Sequence, residues 1–283
     1  MLTRPFIIFI CLAAVFNLRS QEVLVTAQDE VIFETLAAKV ELDADTSIGM
    51  TMVEIGQSFL GTPYVANTLD DTGNEALVIN LRELDCTTFV ENVLVLSQLA
   101  QADKLTWGNY PKMLEHVRYR NGERNGYPSR LHYLTEWMQN NSEKGLLKVI
   151  TRDVHGVELL KTIDFMGTHR NSYPALADEA NWEAVRQVES QLSEVPLWIL
   201  PQEDIAQREH LMQDGDIIAL ATDINGLDVT HTGLALRLED GRIHLLHAST
   251  VGEVVISEKP LADYLKGIKR NIGIIVARPL AAK

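Results

Sequence analysis

Apolar residues in the first third of the chain recur with the period of a helix. Two helices are predicted between residues 28 and 60, and Gly61-Thr-Pro-Tyr64 ends the second because glycine and proline interrupt helices. A short strand is predicted at residues 76–80. A strongly apolar helix then begins at Leu84-Asp-Cys-Thr-Thr88, and its wide buried stripe is formed by Phe89, Val90, Val93, Leu94 and Leu96.

The pattern changes twice after this helix. Residues 107–210 are mixed, and the length of this stretch predicts an inserted helical region with a binding role, with helices near 111–119, 130–140 and 178–192. After Gly215 short apolar strands follow one another, separated by turn signals at Asn225-Gly226 and Asp240-Gly241; they are predicted at residues 216–221, 229–236, 242–247, 252–257 and 273–278. Helices followed by an antiparallel sheet predict an α+β fold.

The N-terminus has the pattern of a secretory signal. A positive charge precedes a nearly unbroken apolar run from Pro5 to Val15, which is too short to span a membrane. Residues 1–20 are therefore predicted to be a signal peptide, and residues 21–283 a single domain that is exported to the periplasm. A buried first helix is the alternative. Lipidation is disfavoured because Ile10 stands where a small residue is needed before Cys11.

Acidic residues outnumber basic ones, with 39 Asp and Glu against 25 Lys and Arg and a formal net charge of −14 at pH 7. Phosphate groups are bound by clustered Lys and Arg, so this composition argues against nucleic acid and against stable association with an anionic membrane. The charges are spread along the chain rather than grouped, which indicates mainly a role in solubility.

The sequence contains two cysteines, and one of them lies within the apolar N-terminal run. Without residues 1–20 the chain would keep the single thiol of Cys86 and no intramolecular disulfide. Such a cysteine is either a reactive thiol or a small buried hydrophobic residue. Cys86 stands at the start of the apolar helix, where unpaired N–H groups and the helix dipole favour thiolate and could hold an oxyanion. This position favours the reactive thiol.

A thiol nucleophile needs a base within hydrogen-bond reach and a group that orients the base. His231 lies on a predicted strand beside Gly233, which leaves room for a close approach. His247 ends the next strand, so a hairpin could place it beside His231 as the orienting group. His244 is three residues from His247 and would face the opposite side of that strand. Ordinary strand histidines with satisfied hydrogen bonds are the alternative.

Zinc hydrolysis is the competing chemistry. The sequence has neither a His-Glu-x-x-His motif nor a cysteine pair, and strand parity separates His231, His244 and His247. The sequence therefore predicts no metal and no other cofactor.

Four sequence elements resemble, in the same order, those of NlpC-type cell-wall cysteine peptidases. Leu84-Asp-Cys-Thr-Thr-Phe-Val-Glu91 resembles the start of their cysteine helix, and Gly61-Thr-Pro-Tyr64 resembles the element before it. Gly215-Asp-Ile-Ile-Ala-Leu220 and Thr230-His-Thr-Gly-Leu234 resemble the two strands that follow, and His247 matches the third polar residue. The resemblance implies a papain-like α+β core, in which a helix bearing the cysteine packs on an antiparallel sheet or barrel.

Two further segments, Tyr127-x-Ser-Arg-Leu-His-Tyr-x-x-x-Trp137 and Thr168-His-x-Asn-Ser-Tyr-Pro174, resemble the N-acetylmuramoyl-L-alanine amidase-like branch. This resemblance runs from about residue 46 to the C-terminus. It implies a catalytic domain that hydrolyses the amide between the lactyl group of N-acetylmuramic acid, with the anhydro form left open, and L-alanine in peptidoglycan fragments. Two alternatives stay open: cleavage of the γ-D-glutamyl bond in the stem peptide, and a non-catalytic cell-wall binding module.

The resemblance also implies roles for individual residues. Cys86 would attack the amide carbonyl, His231 would transfer the proton and His247 would orient His231. The residues implied in substrate binding or at the oxyanion are Tyr64, Asp85, Thr87, Arg130 and His132. Tyr64 would place its hydroxyl near the sulfur, and Arg130 would bind a carboxylate of the stem peptide. A purely capping Asp85, a solvated Arg130 and a core position for the aromatic residues near His132 are the structural alternatives.

Overall fold

The computed structural model describes residues 22–40, 42–43, 45–70 and 75–281, so the predicted signal peptide lies outside the described residues. The described residues form nine α-helices: α1 (Ala27–Ala37), α2 (Ile48–Ser58), α3 (Cys86–Gln101), α4 (Tyr110–Arg118), α5 (Leu134–Glu143), α6 (Phe165–Thr168), α7 (Glu179–Ser193), α8 (Ile205–Arg208) and α9 (Leu261–Leu265). They also form ten strands: β1 (Val23–Leu24), β2 (Leu77–Val78), β3 (Leu147–Val149), β4 (Val157–Leu159), β5 (Leu197–Pro201), β6 (Ile217–Thr222), β7 (Val229–Arg237), β8 (Ile243–Ala248), β9 (Val254–Ile256) and β10 (Asn271–Pro279).

Helix α3 is buried on nearly all sides. Its predicted apolar stripe is confirmed as part of the core by Phe89, Val90, Val93, Leu94 and Leu96. Two charged or polar side chains elsewhere on the helix are buried and paired: Glu91 pairs with Arg118 at 2.8 Å, and Asn92 accepts a hydrogen bond from Tyr110. A helix with this pattern lies inside a protein rather than on its surface. In the described part of the chain no helix is long and apolar enough to cross a membrane.

The antiparallel sheet predicted for the last quarter of the chain is confirmed. Its strands follow the order β4-β5-β10-β6-β7-β8-β9, neighbouring strands are antiparallel, and β3 also pairs with β10. Two predicted turns contain Gly226 and Gly241 with φ of 77° and 78°, a conformation that glycine adopts without strain. One face of the sheet packs against α2 and α3, and the other packs against α8 and α9.

The interpretation of residues 107–210 as a helical insertion is incomplete. The three predicted helices correspond to α4, α5 and α7, but β3, β4 and β5 of the same region extend the main sheet. These strands are three to five residues long, which is too short to show a clear alternating pattern. Because β3 and β5 both pair with β10, the region is built onto the sheet by contacts distant in sequence.

Helix α2 and the start of β6 approach each other at two glycines. A Cβ atom on Gly215 would lie 2.3 Å from the carbonyl oxygen of Gly49, and a Cβ on Gly49 would lie 2.3 Å from that of Asp214. Gly215 also has a φ of 80°, which favours glycine. This backbone contact sets the distance between α2 and the sheet.

We expect Gly215→Ala to lower the free energy of unfolding by about 2–4 kcal/mol, because the positive φ and the close backbone both oppose a side chain. Gly241→Ala is the matched control, since Gly241 has a similar φ of 78° and open space where the Cβ would lie. We expect it to cost about 1 kcal/mol. Urea unfolding of both variants measures the difference, and equal losses would contradict the importance of the close approach.

Candidate active site

Cys86 is the first residue of α3, and Asp85 is its N-cap. The Asp85 carboxylate accepts a hydrogen bond from the Thr88 N–H at 2.7 Å, and the Thr88 hydroxyl accepts one from the Asp85 N–H at 2.9 Å. The Phe89 N–H donates to the Asp85 carbonyl at 2.9 Å. The cap therefore leaves the N–H groups of Cys86 and Thr87 outside the helical hydrogen-bond pattern, at the mouth of the helix.

The Gly61-Thr-Pro-Tyr64 segment follows α2 and holds the start of α3. The Tyr64 N–H donates to the Gly252 carbonyl at 2.7 Å, and the Leu84 N–H donates to the Pro63 carbonyl at 3.0 Å. Burial and the negative charges of a Cys86 thiolate and of Asp85 raise the pKa of Tyr64 to about 12. Tyr64 therefore lies within electrostatic reach of the cysteine and keeps its hydroxyl proton at neutral pH.

His231 and His247 meet across β7 and β8. Nε2 of His231 lies 2.6 Å from Nδ1 of His247, and the two rings are at 88° to each other. A Cβ atom on Gly233 would lie 2.8 Å from the His247 Cβ, so glycine is needed for this approach. His244 is instead a buried packing residue, whose Nδ1 lies 2.8 Å from the Ser257 carbonyl oxygen.

Burial keeps both Cys86 and His231 neutral. Burial, followed by the charge of Asp85, raises the pKa of the Cys86 thiol to about 11, and hydrogen bonds from Thr232 and Thr87 lower it by less. Burial also lowers the pKa of His231 to about 3. The expectation that the helix N-terminus favours a thiolate is therefore wrong for the substrate-free site, because desolvation of the sulfur outweighs its hydrogen bonds.

Cys86 and His231 line one cavity of about 250 Å³, between the starts of α3 and β7. Thr87 and His132 line it as well, and its apolar and aromatic walls include Leu69, Tyr127, Leu131, Tyr133, Met166 and Tyr173. A thiol, an imidazole and the N–H groups at the helix mouth thus surround one space in which a carbonyl group could be attacked. Within the described ranges, no group of three or more His, Cys, Asp or Glu side chains could hold a metal ion.

Arg130 reaches the same cavity, but its guanidinium is already paired within the protein. It donates to the Asp70 carboxylate at 2.5 Å and to the Leu69 carbonyl at 3.1 Å, and its Nε lies 3.6 Å from Glu75. The side chain is 7% exposed, so the alternative of a solvated arginine is wrong. A substrate carboxylate would have to compete with two internal carboxylates, and the geometry therefore disfavours the predicted clamp.

His132 packs its ring on Tyr127, and its Nε2 lies 2.9 Å from the Tyr127 carbonyl oxygen. Because a carbonyl only accepts, Nε2 carries the ring proton and Nδ1 is left as an acceptor. Burial and the Arg130 charge lower the pKa of His132 to about 3, so the ring is neutral at pH 7. Trp137 is fully buried in the core, whereas His169 is exposed and lies outside the cavity.

The family model described as AmiA-like, N-acetylmuramoyl-L-alanine amidase-like, matches residues 54–274, a range that includes Cys86, His231 and His247. The chain belongs to this amidase-like family. The match confirms the amidase assignment made from the sequence, while the cysteine mechanism and the roles of individual residues stay predictions.

Solved structures resemble this amidase-like chain over most of its length. An N-acetylmuramoyl-L-alanine amidase from Bacteroides uniformis is 37% identical with a TM-score of 0.78, over 82% of this chain and 99% of its own. A Bacteroides fragilis protein with a provisional xylanase name is 37% identical with a TM-score of 0.73. The match covers 79% of this chain and 98% of that protein. A Legionella pneumophila protein of the family DUF1460 shares the fold at 20% identity and a TM-score of 0.66, over 90% and 94%. No curated protein matches the chain.

The amidase-like site also contains buried charged groups that the sequence did not single out. Asp228, just before β7, accepts hydrogen bonds from the N–H and hydroxyl of Thr135 at 2.9 and 2.8 Å and so ties α5 to the strand that carries His231. Burial raises the pKa of Asp228. The Arg118–Glu91 pair also lines the cavity. No local sequence pattern marks these groups, because their partners belong to elements far apart along the chain.

We expect His132→Gln to weaken the pH dependence of stability in this amidase-like protein. The folded-state pKa of His132 is about 3 and its unfolded value is about 6.5, so below pH 6.5 the unfolded chain takes up a proton that the folded chain does not. The wild-type free energy of unfolding therefore receives a contribution from His132 that is lost as the pH falls from 6.5 towards 3. Glutamine can still donate to the Tyr127 carbonyl but does not titrate.

Urea unfolding at pH 4.5, 5.5 and 7 measures this effect. The free energy of unfolding of the wild type should fall relative to that of His132→Gln as the pH falls, by up to about 1.4 kcal/mol per pH unit. His210→Gln is the matched control, because His210 is exposed to solvent in the folded chain. A His132→Gln curve parallel to that of the wild type would contradict the assignment of a neutral ring at pH 4.5–7.

Proposed function

We propose that the chain is a cysteine amidase that hydrolyses the bond between the lactyl group of N-acetylmuramic acid and L-alanine in peptidoglycan fragments. The observation that carries this proposal is the shared cavity of Cys86 and His231, with His247 hydrogen-bonded to the far ring nitrogen of His231. A nucleophile, a base and a group that orients the base are the set that covalent amide hydrolysis requires. Family membership supports the amide bond, and the geometry supports the residues.

The first half-reaction forms a thioester. Because Nε2 of His231 contacts His247, Nδ1 accepts the Cys86 proton while the sulfur attacks the carbonyl carbon. Proton transfer and attack proceed together, since thiol and imidazole are both neutral beforehand. The N–H groups of Cys86 and Thr87 stabilise the oxyanion, and the Tyr64 hydroxyl is a further donor. His231 then protonates the nitrogen, the C–N bond breaks and the peptide leaves with a free amine.

The second half-reaction uses water. His231 removes a proton from the water molecule as its oxygen attacks the thioester carbonyl. The C–S bond breaks, and His231 returns its proton to the Cys86 sulfur. The products are the sugar with a free lactyl carboxylate and the peptide released earlier.

The cavity suits the uncharged sugar half of the substrate better than a carboxylate-bearing peptide. Its two guanidinium groups, Arg118 and Arg130, are both paired with internal carboxylates. Aromatic walls such as Tyr127 and Tyr173 offer apolar faces, and Nδ1 of His132 can accept from a hydroxyl or an amide N–H. We therefore place the muramoyl group in this cavity, in its ordinary or anhydro form.

The proposal includes an NlpC-type, papain-like core and export to the periplasm. The arrangement of α3 on β6, β7 and β8, with Cys86 before His231 and His247 in the chain, supports such a core. The charged and apolar pattern of residues 1–20 supports a signal peptide. Export would bring the protein to its substrate.

A xylan-cleaving activity, suggested by the provisional name of one similar structure, is disfavoured. Glycosidases use two carboxyl groups that flank the scissile bond and are free to transfer protons or attack. The cavity carboxylates are instead held in structural contacts: Asp70 with Arg130, Glu91 with Arg118, Asp85 with Thr88, and Asp228 with Thr135.

We expect Cys86→Ala to abolish hydrolysis, with a loss of at least about 10³-fold, while the protein stays folded. Mass spectrometry of a defined muropeptide identifies the bond: a free disaccharide with an intact stem peptide shows cleavage of the muramoyl amide. Products that show cleavage after γ-D-glutamate would contradict this proposal and support the endopeptidase alternative. Undiminished hydrolysis by Cys86→Ala, or no hydrolysis by the wild type, would refute a cysteine mechanism.

We expect alkylation of Cys86 by iodoacetamide to keep accelerating above pH 9, because only the thiolate reacts and its pKa is about 11. A Cys11→Ala chain makes the label report on Cys86 alone. Asp85→Asn should raise the rate at pH 8, since asparagine still caps the helix but lacks the negative charge that raises the thiol pKa. A rate that levels off below pH 7 would contradict the neutral thiol.

A further inference from the structure

The wall of the candidate cavity contains an ion pair whose arginine has an unused donor. Arg118, the last residue of α4, and Glu91 of α3 both line the cavity, and Nε of Arg118 lies 2.8 Å from a Glu91 oxygen. Their side chains are each 3% exposed. Nη1 of Arg118 donates to the Val78 carbonyl at 2.6 Å, and the hydrogen bonds among the described residues include none from Nη2.

Nη2 of Arg118 opens to the cavity. Within the described part of the chain, it is not one of the fully covered polar atoms that lack a partner. A nitrogen that has no partner and is not fully covered faces an accessible space, and the space that Arg118 lines is this cavity. Because a guanidinium only donates, the cavity wall offers an N–H group to a ligand acceptor.

Helix α3 determines where this donor lies relative to the nucleophile. Cys86, Thr87 and Glu91 form the α3 side of the cavity. Residues four apart share a helix face, with Cβ atoms about 5–6 Å apart, so Glu91 lies one turn beyond Thr87. A group bound by the arginine that pairs with Glu91 is therefore about one helical turn from the carbonyl that Cys86 attacks.

The sugar half of the proposed substrate has an acceptor at this distance. In N-acetylmuramic acid the lactyl group and an acetamido group are attached to neighbouring carbons of the ring. When the lactyl carbonyl lies at Cys86, the acetamido carbonyl is only a few bonds away, which matches the single turn between the helix mouth and Glu91. An amide carbonyl oxygen is an acceptor with two lone pairs.

The pairing of Arg118 with Glu91 favours such a neutral acceptor. The charge of the guanidinium is already balanced, so a carboxylate of the substrate would be repelled by Glu91, whereas a carbonyl gains a charge-assisted hydrogen bond. Apolar side chains of similar volume often stabilise a fold as well as a buried ion pair does. A polar pair in a largely apolar cavity wall is instead typical of groups that fix the orientation of a ligand.

Resting on the proposed function, we infer that Arg118 recognises the acetamido group of the muramoyl sugar. Its Nη2–H donates to the acetamido carbonyl oxygen, while Glu91 and the Val78 carbonyl hold the guanidinium in place. This contact fixes the ring so that the lactyl carbonyl meets Cys86. Arg118 is thus a residue that determines specificity, and Glu91 positions it.

Two matched muropeptides test this inference: N-acetylmuramoyl-L-alanyl-γ-D-glutamyl-L-lysine and its 2-deoxy analogue, in which hydrogen replaces the acetamido group. We expect the wild type to cleave the first with a kcat/KM about 50-fold above that of the second, because the analogue leaves a charged donor unpaired. In Glu91→Leu/Arg118→Met, which replaces the pair with apolar side chains of similar size, this ratio should fall below about fivefold.

Arg120→Met/Glu136→Leu is the matched control and should keep the wild-type ratio. Arg120 also pairs with a glutamate, at 2.6 Å, and donates to a backbone carbonyl, yet neither residue belongs to the described lining of the cavity. Arg118→Lys tests the inference even if the apolar pair does not fold. It keeps the positive charge but lacks the second donor nitrogen, so its ratio should fall to about tenfold or less.

The outcomes distinguish this inference from the proposed function. A wild type that cleaves both muropeptides equally well at the muramoyl amide would overturn the role of Arg118 and leave the proposed function intact. A ratio that stays at the wild-type value in Glu91→Leu/Arg118→Met or in Arg118→Lys would overturn that role as well. Failure to cleave either compound would refute the proposed function, and the inference with it.

Discussion

The packing of α3 against the antiparallel sheet is the constraint on which the rest of the site depends. The helix can be buried because its stripe is apolar and because Arg118 and Tyr110 satisfy the buried Glu91 and Asn92. Its first turn is thereby held beside β7, where the Thr232 backbone bonds to the Cys86 sulfur. Packing of this end of the helix holds Cys86 beside β7, and the accompanying loss of hydration disfavours a thiolate.

Desolvation gives the candidate site its electrostatic character. Thiol and imidazole are neutral before substrate binds, and the charged walls are paired internally through Arg118–Glu91 and Arg130–Asp70. A site of this kind does not rely on a stored ion pair between Cys86 and His231. In the proposed mechanism, the charge that develops during the reaction is met by oriented N–H groups at the helix mouth, which need little reorganisation.

His247 lies at the contact between two neighbouring strands, β7 and β8. Its Nδ1 contacts Nε2 of His231, which lines the cavity, and its side chain also borders the groove between β9 and α9. Gly233 makes this arrangement possible, because any larger residue would collide with the His247 side chain.

The sequence by itself determined much of this protein. Its periodicity predicted α3 and the strands β6 to β10, and the order of its motifs indicated an amidase, whereas the joint action of Cys86, His231 and His247 stays a prediction. Those signals are local, because helix caps, strand alternation and turn glycines depend on neighbouring residues. Only the tertiary structure decided the state of the thiol, the internal pairing of Arg130, the strands within residues 107–210 and the groove beside His247. Each of these depends on burial or on partners far apart in the chain, and neither leaves a local pattern in the sequence.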